Sequence, residues 1–217
     1  MTEALRIAAV LVASYCIGGI PWGLVLVRAI KHVDVRDFGS GKTGATNVLR
    51  LLGWQGFAVV LVLDAIKGVG AVLLARYVAD GNAWVAAAAG ILAISGHCWS
   101  PYLGFRGGGR GMVTAMGAAF TLAPGLMLLI PIFLIPVLLT RHMSLGNVTA
   151  SLSAPVVLLI SALVGRSPWA YFAFGVAGCA LILINHWDNI QRLLAGTERK
   201  IGDKVTPRSP EPGAQAH

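Results

Sequence analysis

Apolar residues come in blocks along this chain rather than in alternation. Nearly unbroken apolar runs fall at roughly 5–27, 55–79, 83–100, 112–123, 125–140, 148–165 and 168–187. A helix on the surface of a soluble domain would show apolar residues every three or four positions, and a half-buried strand every second one. Blocks near 20 residues instead match the helix length that crosses about 30 Å of hydrocarbon. The pattern predicts an all-α polytopic membrane protein. Two runs are short: 112–123 and 125–140, divided by Pro124-Gly125, hold about 12 to 16 residues where an upright crossing needs roughly 20. They make one kinked span or two short ones joined by a tight turn.

Charge placement chooses between these. If both runs cross, 28–54, 101–111, 141–147 and everything after 188 share one side of the membrane. That side then holds Arg28, Lys31, Arg36, Lys42, Arg50, Arg106, Arg110, Arg141, Arg192, Arg199, Lys200, Lys204 and Arg208, and the other only Arg6, Arg76 and Arg166. Loops rich in Lys and Arg stay cytoplasmic. The expectation is therefore about seven transmembrane helices, two of them short, with the N-terminus outside and the C-terminus cytoplasmic. A re-entrant pair over 112–140 gives the same sidedness.

Composition agrees. Of 217 residues, 56% are hydrophobic and 12% charged, about half the charged share of a soluble domain. The net charge of +8 would suit nucleic acid, but its cations sit in short loops between apolar runs, and no nucleic-acid partner is expected. The first run starts after Arg6, is too long for a signal-peptide core and lacks a clear cleavage pattern, so it reads as a retained span. Cys16, Cys98 and Cys179 form no CxxC pair and have no metal-ligand spacing, and they read as small apolar filler. Residues 1–202 form one transmembrane domain. From 203 to 217 the chain turns to Pro, Gly and charge, which predicts a disordered cytoplasmic tail without catalytic residues.

The candidate chemistry lies in the loops. At 39–50 the chain reads GSGKTGATNVLR, which suggests a nucleotide-binding phosphate loop. That motif requires a Gly five residues before Gly41 and a preceding strand; Arg36 stands there, and an apolar segment containing Pro21 and Gly23 precedes. It is not a P-loop. Two further stretches are as polar and glycine-rich: SGHCWSPYLGFRGGGRG at 95–111 and INHWDNIQRLLAGTER at 184–199, while 141–147 adds Ser144. Glycine lets the backbone approach an anion closely, and successive N–H groups can form a nest around it. Arginine adds a planar fork matched to phosphate. One such loop is explained well enough by turns and topology signals. Three on one membrane face point to a shared phosphate site.

The motifs are also specific. The 39–50 stretch resembles the first motif of the PlsY family of bacterial membrane acyl-phosphate:glycerol-3-phosphate acyltransferases. Gly96-His97, Pro101, Phe105 and Gly107-Gly108 resemble its second motif, and His186, Asn189, Ile190, Arg192, Leu193, Gly196 and Glu198 its third. The likeness runs to about residue 202, with the motifs in order and on one side. It implies direct acyl transfer from acyl phosphate to glycerol 3-phosphate at the cytoplasmic face of the bacterial plasma membrane. No cofactor, no metal, and no coenzyme A or acyl carrier protein as direct donor would be involved. Under that reading His186, Asn189, Arg50 and Ser144 are catalytic. Ser40, Gly41, Thr46, Asn47, Gly107, Gly108 and Arg110 bind substrate phosphate, and His97, Asp64, Lys67, Arg192 and Glu198 support the site. His186 and Asn189 would orient the acceptor, with His186 shuttling the proton, and the acyl chain would lie between spans at the membrane interface. Two departures stand out: Lys42 replaces the family's usual Asn, and Gly109 stands where the family has Lys, with Arg110 one residue later. Either the turn holds an extra glycine or the phosphate contact is remodelled.

Three other readings were open. His32 and Asp37 have the His-x4-Asp spacing of another acyltransferase superfamily, but they only flank a basic span end. Asp64 and Lys67, one helical turn apart, would be expensive unpaired in lipid and read as a structural or site-supporting pair. An anion transporter was the alternative function, and it would need its polar residues near the bilayer midplane rather than in loops. No Ser-His-Asp set or nucleophilic Cys arrangement is visible.

Overall fold

The computed structural model describes residues 2–203, and the expected disordered tail beyond Asp203 lies outside them. The described residues form nine α-helices and no strand. The predicted runs are present with altered ends. The first breaks at Pro21 into α1 (Glu3–Gly19) and α2 (Trp22–Lys31), because proline lacks an N–H and forces the residue before it out of the helical region. The second run begins ten residues earlier than its apolar stretch, as α3 (Ala45–Val78), which changes direction at Gly53 with φ 69° and ψ −166°. Only glycine adopts that conformation cheaply. Residues 45–52 thereby become a separate helical arm that carries Asn47 and Arg50.

The remaining helices are α4 (Ala83–Cys98), α5 (Met112–Leu122), α6 (Ile130–Thr140), α7 (Met143–Leu163), α8 (Trp169–Asn185) and α9 (Trp187–Leu194). Asn82 caps α4 by accepting from the backbone N–H groups of Trp84 and Val85 at 3.0 and 3.2 Å, two of the donors that a helix start leaves without intrahelical partners. A 3₁₀ turn, Pro124–Leu129, leads into α6. By length and apolarity four units can cross a membrane: α1 with α2, α3, α4 with the turn after it, and α7. The pair α8 and α9, bent by 64°, makes a fifth if taken as one broken span, while α5 and Pro124–Thr140 are shorter apolar helices.

Exposed aromatic residues mark both ends of the slab. Trp54 and Tyr77 on α3, Trp84 and Trp99 around α4, and Trp169 and Trp187 around α8 are all exposed. At 1.5 Å per residue these pairs are separated by about 35, 22 and 27 Å, close to the thickness of a hydrocarbon core. Aromatic side chains collect at the two interfaces of a bilayer. Apolar side chains such as Leu128, Leu139 and Leu163 are also exposed, as a lipid-facing surface requires.

Helices in lipid gain little from hydrophobic association, so they need close backbone approach instead. Small residues supply it here along two seams. A Cβ on Gly18 would overlap the Ala93 backbone and one on Gly96 the Tyr15 carbonyl, which joins α1 to α4. A Cβ on Gly68 would overlap the Thr114 carbonyl and one on Gly117 the Ala65 carbonyl, which joins α3 to α5. These seams hold the loops at one end in fixed relation. Gly68→Leu should therefore open the α3–α5 seam and destabilise the fold by about 1–3 kcal/mol or more, measured as a lower unfolding temperature in lipid nanodiscs. Gly70→Leu on the same helix, with nothing within 4 Å of its Cβ position, should change it little.

Candidate active site

The polar loops converge at one end of the bundle. Asn47, buried in the arm of α3, donates from Nδ2 to the carbonyls of Val35, Phe38 and Lys42 at 2.9, 3.0 and 3.0 Å and accepts from the Ser40 N–H at 3.3 Å. Its amide is used up in closing the loop around it. Gly39 and Gly41 turn that loop with positive φ, and a Cβ on Gly39 would collide with the Asn47 carboxamide. The result aims the N-terminus of α3, with its unsatisfied N–H groups, into a cleft, and such an end attracts anions. Arg50 follows one turn later.

The second loop is folded over His97. The Gly109 N–H donates to the His97 carbonyl at 3.0 Å, and a Cβ on Gly109 would overlap the His97 imidazole. No lysine fits there. The loop's cation is Arg110, which lines the cleft, while Arg106 points to solvent. Gly107 packs against Arg36, itself held by Asp34 at 2.7 Å. Arg110 donates to the Asn185 carbonyl at 3.2 Å and to Asp188 at 2.7 Å. Asp188 also takes Arg192 at 3.2 Å. Burial works to raise the Asp188 carboxyl, but the two arginines outweigh it and hold the group below the ordinary carboxylate value.

The third loop is organised by one carboxylate. Glu198, whose side chain is 6% exposed, accepts from Ser144 Oγ at 2.9 Å, Asn189 Nδ2 at 2.6 Å and Arg192 Nε at 2.7 Å. With its hydroxyl proton turned to Glu198, Ser144 presents lone pairs elsewhere. Asn189 keeps a buried Oδ1 without a hydrogen-bond partner, an acceptor waiting for a donor. His186 lies past the end of α8, at the bend into α9. Its Nδ1 faces the Ile182 carbonyl at 2.9 Å, so that nitrogen carries the proton, and Nε2 receives the Asn147 amide at 3.1 Å.

Behind this rim, Lys67 Nζ reaches Asp64 at 2.9 Å, His97 Nδ1 at 2.8 Å and the Ile20 carbonyl at 3.0 Å, a partner for each of its three protons.

The cleft has a volume of about 780 Å³. From the expected site it brings together Ser40, Thr46, Asn47, Arg50, Asp64, His97, Arg110, Ser144, His186, Asn189 and Glu198. Gly41, Lys67, Gly107, Gly108 and Arg192 do not line it, though Lys67 contacts Asp64 and Arg192 contacts Glu198. Lining residues absent from the expectation are Lys42, Asn147, Arg199 and Asp203. Asn147 stands three residues from Ser144, on the same helical face, a signal that was available in the sequence. The other wall is apolar: Trp54, Phe57 and Leu61 of α3, Met112, Val113 and Met116 of α5, and Phe133, Leu134, Val137 and Leu138 of α6.

The fold and the site define a helical integral membrane protein with a cation-rich cleft continued by an apolar groove. The profile described as glycerol-3-phosphate acyltransferase matches residues 8–196, and the chain belongs to that family. Similar relatives include the glycerol-3-phosphate acyltransferase of Halalkalibacterium halodurans, 42% identical over 89% of this chain and 94% of that one. The one from Gloeobacter violaceus is 40% identical over 88% and 93%. The crystal structure of PlsY, an integral membrane glycerol 3-phosphate acyltransferase, in its glycerol 3-phosphate form superposes with a TM-score of 0.83, 33% identity and coverage of 90% of this chain and 96% of that chain. Its lysophosphatidic acid form gives 0.81 and 32%.

Proposed function

We propose that this glycerol-3-phosphate acyltransferase takes its acyl group from acyl phosphate and transfers it directly to glycerol 3-phosphate. The products are 1-acylglycerol 3-phosphate and inorganic phosphate, in the first acylation of phospholipid synthesis. The observation that carries this reading is the cleft itself, a cation-rich polar end continuous with an apolar groove. That is the shape of a substrate with a phosphate at one end and an alkyl chain at the other.

An acyl phosphate is a mixed anhydride and is already activated, so the protein needs only to align two phosphorylated molecules and stabilise developing charge. Arg50, Arg110, Ser40, Thr46 and the N-terminus of α3 hold phosphate. The unpartnered Oδ1 of Asn189 accepts from the acceptor hydroxyl and aims it, beside the lone pairs of Ser144. The hydroxyl oxygen bonds the acyl carbon while that carbon's bond to the phosphate oxygen breaks. The hydroxyl proton must then go to a base. The Nε2 of His186 already receives the Asn147 amide, whereas the leaving phosphate oxygen gains negative charge as its bond to the acyl carbon breaks and becomes the stronger base. The departing phosphate therefore takes the proton, and His186 positions Asn147 rather than shuttling. Among the described residues no hydroxyl or thiol is hydrogen-bonded to an imidazole, which favours direct transfer over an acyl-enzyme.

The concentration of cations around the site supports an active site facing the cytoplasm of a bacterial plasma membrane. It also supports the seven-span arrangement with an external N-terminus, in which α5 and α6 cross as two short helices.

Purified protein in lipid should form lysophosphatidate from glycerol 3-phosphate and palmitoyl phosphate and not from palmitoyl-coenzyme A; equal turnover with both would overturn the donor assignment. Arg110→Ala should lower kcat/KM about 10- to 100-fold, the loss of a charge-assisted contact worth roughly 1.5–3 kcal/mol. Arg110→Lys should restore part of it, and Arg106→Ala should cost much less. The reverse order for Arg106 and Arg110 would place the phosphate contact upstream of the glycine turn.

A further inference from the structure

Behind the apolar wall of the cleft lies a second, smaller cavity of about 60 Å³. Helix α5, the turn and start of α6, α7 and α8 line it, with Ala119, Leu129, Ala154 and Phe174 among its walls. Met112, Met116 and Phe133 border both spaces, so the cavity continues the groove deeper into the bundle, behind a partition of three side chains. Its polar wall residue Ser151 already donates its hydroxyl to the Val148 carbonyl at 2.9 Å. A water there would find fewer than the two to four partners it needs. The cavity is a dry apolar space, separated from the substrate groove by those three side chains.

We propose that this cavity is the subsite for the distal end of the acyl chain, and that Met116 and Ala154 set the chain length the enzyme prefers. The proposal rests on the acyl-transfer reading above and adds where the chain ends. The occupant follows from continuity: an alkyl chain whose head is held at the polar rim runs along Trp54, Phe57 and Met112 and reaches the partition. Methionine is unbranched and adaptable, so two of the three partition residues can move aside without strain. By comparison with an apolar cavity of about 150 Å³ that takes benzene, this one has room for about two or three methylene groups. Each methylene buried contributes about 4-fold in affinity, so filling it is worth about 10- to 60-fold, enough to set a preference among donors of different length.

The test is a series of acyl phosphates from C8 to C18, assayed with saturating glycerol 3-phosphate on protein in nanodiscs. For the unsubstituted protein, kcat/KM should rise with chain length and level off where the cavity is full. Ala154→Leu, which fills the cavity from α7, should move that plateau about two or three methylenes shorter. Met116→Ala, which removes part of the partition, should move it longer, and KM for glycerol 3-phosphate should stay the same in both. Opposite shifts establish the subsite. An unchanged plateau in both variants, or a change confined to the glycerol 3-phosphate KM, overturns it. The donor reading fails separately: if only another acyl carrier is used, the same length series run on that carrier still decides where the chain ends.

Discussion

A charged or hydrogen-bonding group that leaves water for hydrocarbon must bring its partners along, and this constraint shapes the whole molecule. Its clearest expression is Lys67. The ammonium is buried together with Asp64 and His97 and is fully partnered by them and by the Ile20 carbonyl. Those three partners come from α3, from the end of α4 and from the break between α1 and α2. The break at Pro21 exposes a carbonyl, Lys67 satisfies it, and three segments are fixed to one point. Removing one partner of such a cluster leaves an uncompensated buried charge, costing about 3–5 kcal/mol. The cluster also touches the chemistry, since Asp64 and His97 line the cleft and the His97 ring is the surface on which Gly109 rests.

The same constraint explains why the site is at one end and why it is half apolar. A midplane site would need many such clusters. At the membrane face, water and loop backbone supply partners freely, and a short helical arm such as residues 45–52 can turn away from the bilayer at Gly53. Residues of the arm then face a groove whose floor is still within the slab. An amphiphilic donor meets both environments without leaving the membrane. The buried Asp64 and Lys67 would be expected in an anion carrier too, but here they are committed to holding helices and to one another.

Much of the fold was legible because length and apolarity are decisive for crossing a membrane. The ends of helices were less so. Residues 45–52 carry Thr, Asn and Arg, so nothing apolar signals that α3 starts there, and a single glycine conformation decides where it bends. Among the site residues, Arg110 and Glu198 were readable as residue types at motif spacings. Their division of labour was not. That the Asn47 carboxamide bonds its own loop, that Glu198 gathers Ser144, Asn189 and Arg192, and that His97 excludes a side chain at 109 depend on distances no spacing encodes. The apolar groove was the least visible part. A leucine facing lipid and one facing a groove are the same letter in the same kind of run, and only packing separates them.

The chemistry follows from which groups remain unsatisfied. In most of this site the polar atoms are paired: Arg110 with Asp188, Ser144 with Glu198, His186 with Asn147 and a carbonyl. Paired groups hold geometry but are poor proton acceptors. Among the groups left over are the buried Asn189 Oδ1, the cationic edges of Arg50 and Arg110 and the N–H groups at the start of α3, which can accept one hydroxyl and cradle anionic oxygens. A set of this kind aligns an alcohol against an activated carbonyl and leaves the proton to the leaving group. It would serve an unactivated acyl donor badly, because no strong base and no nucleophile stands by to replace the activation. This is the ground for the donor proposed above, which brings its own good leaving group in a phosphate that the cations fit.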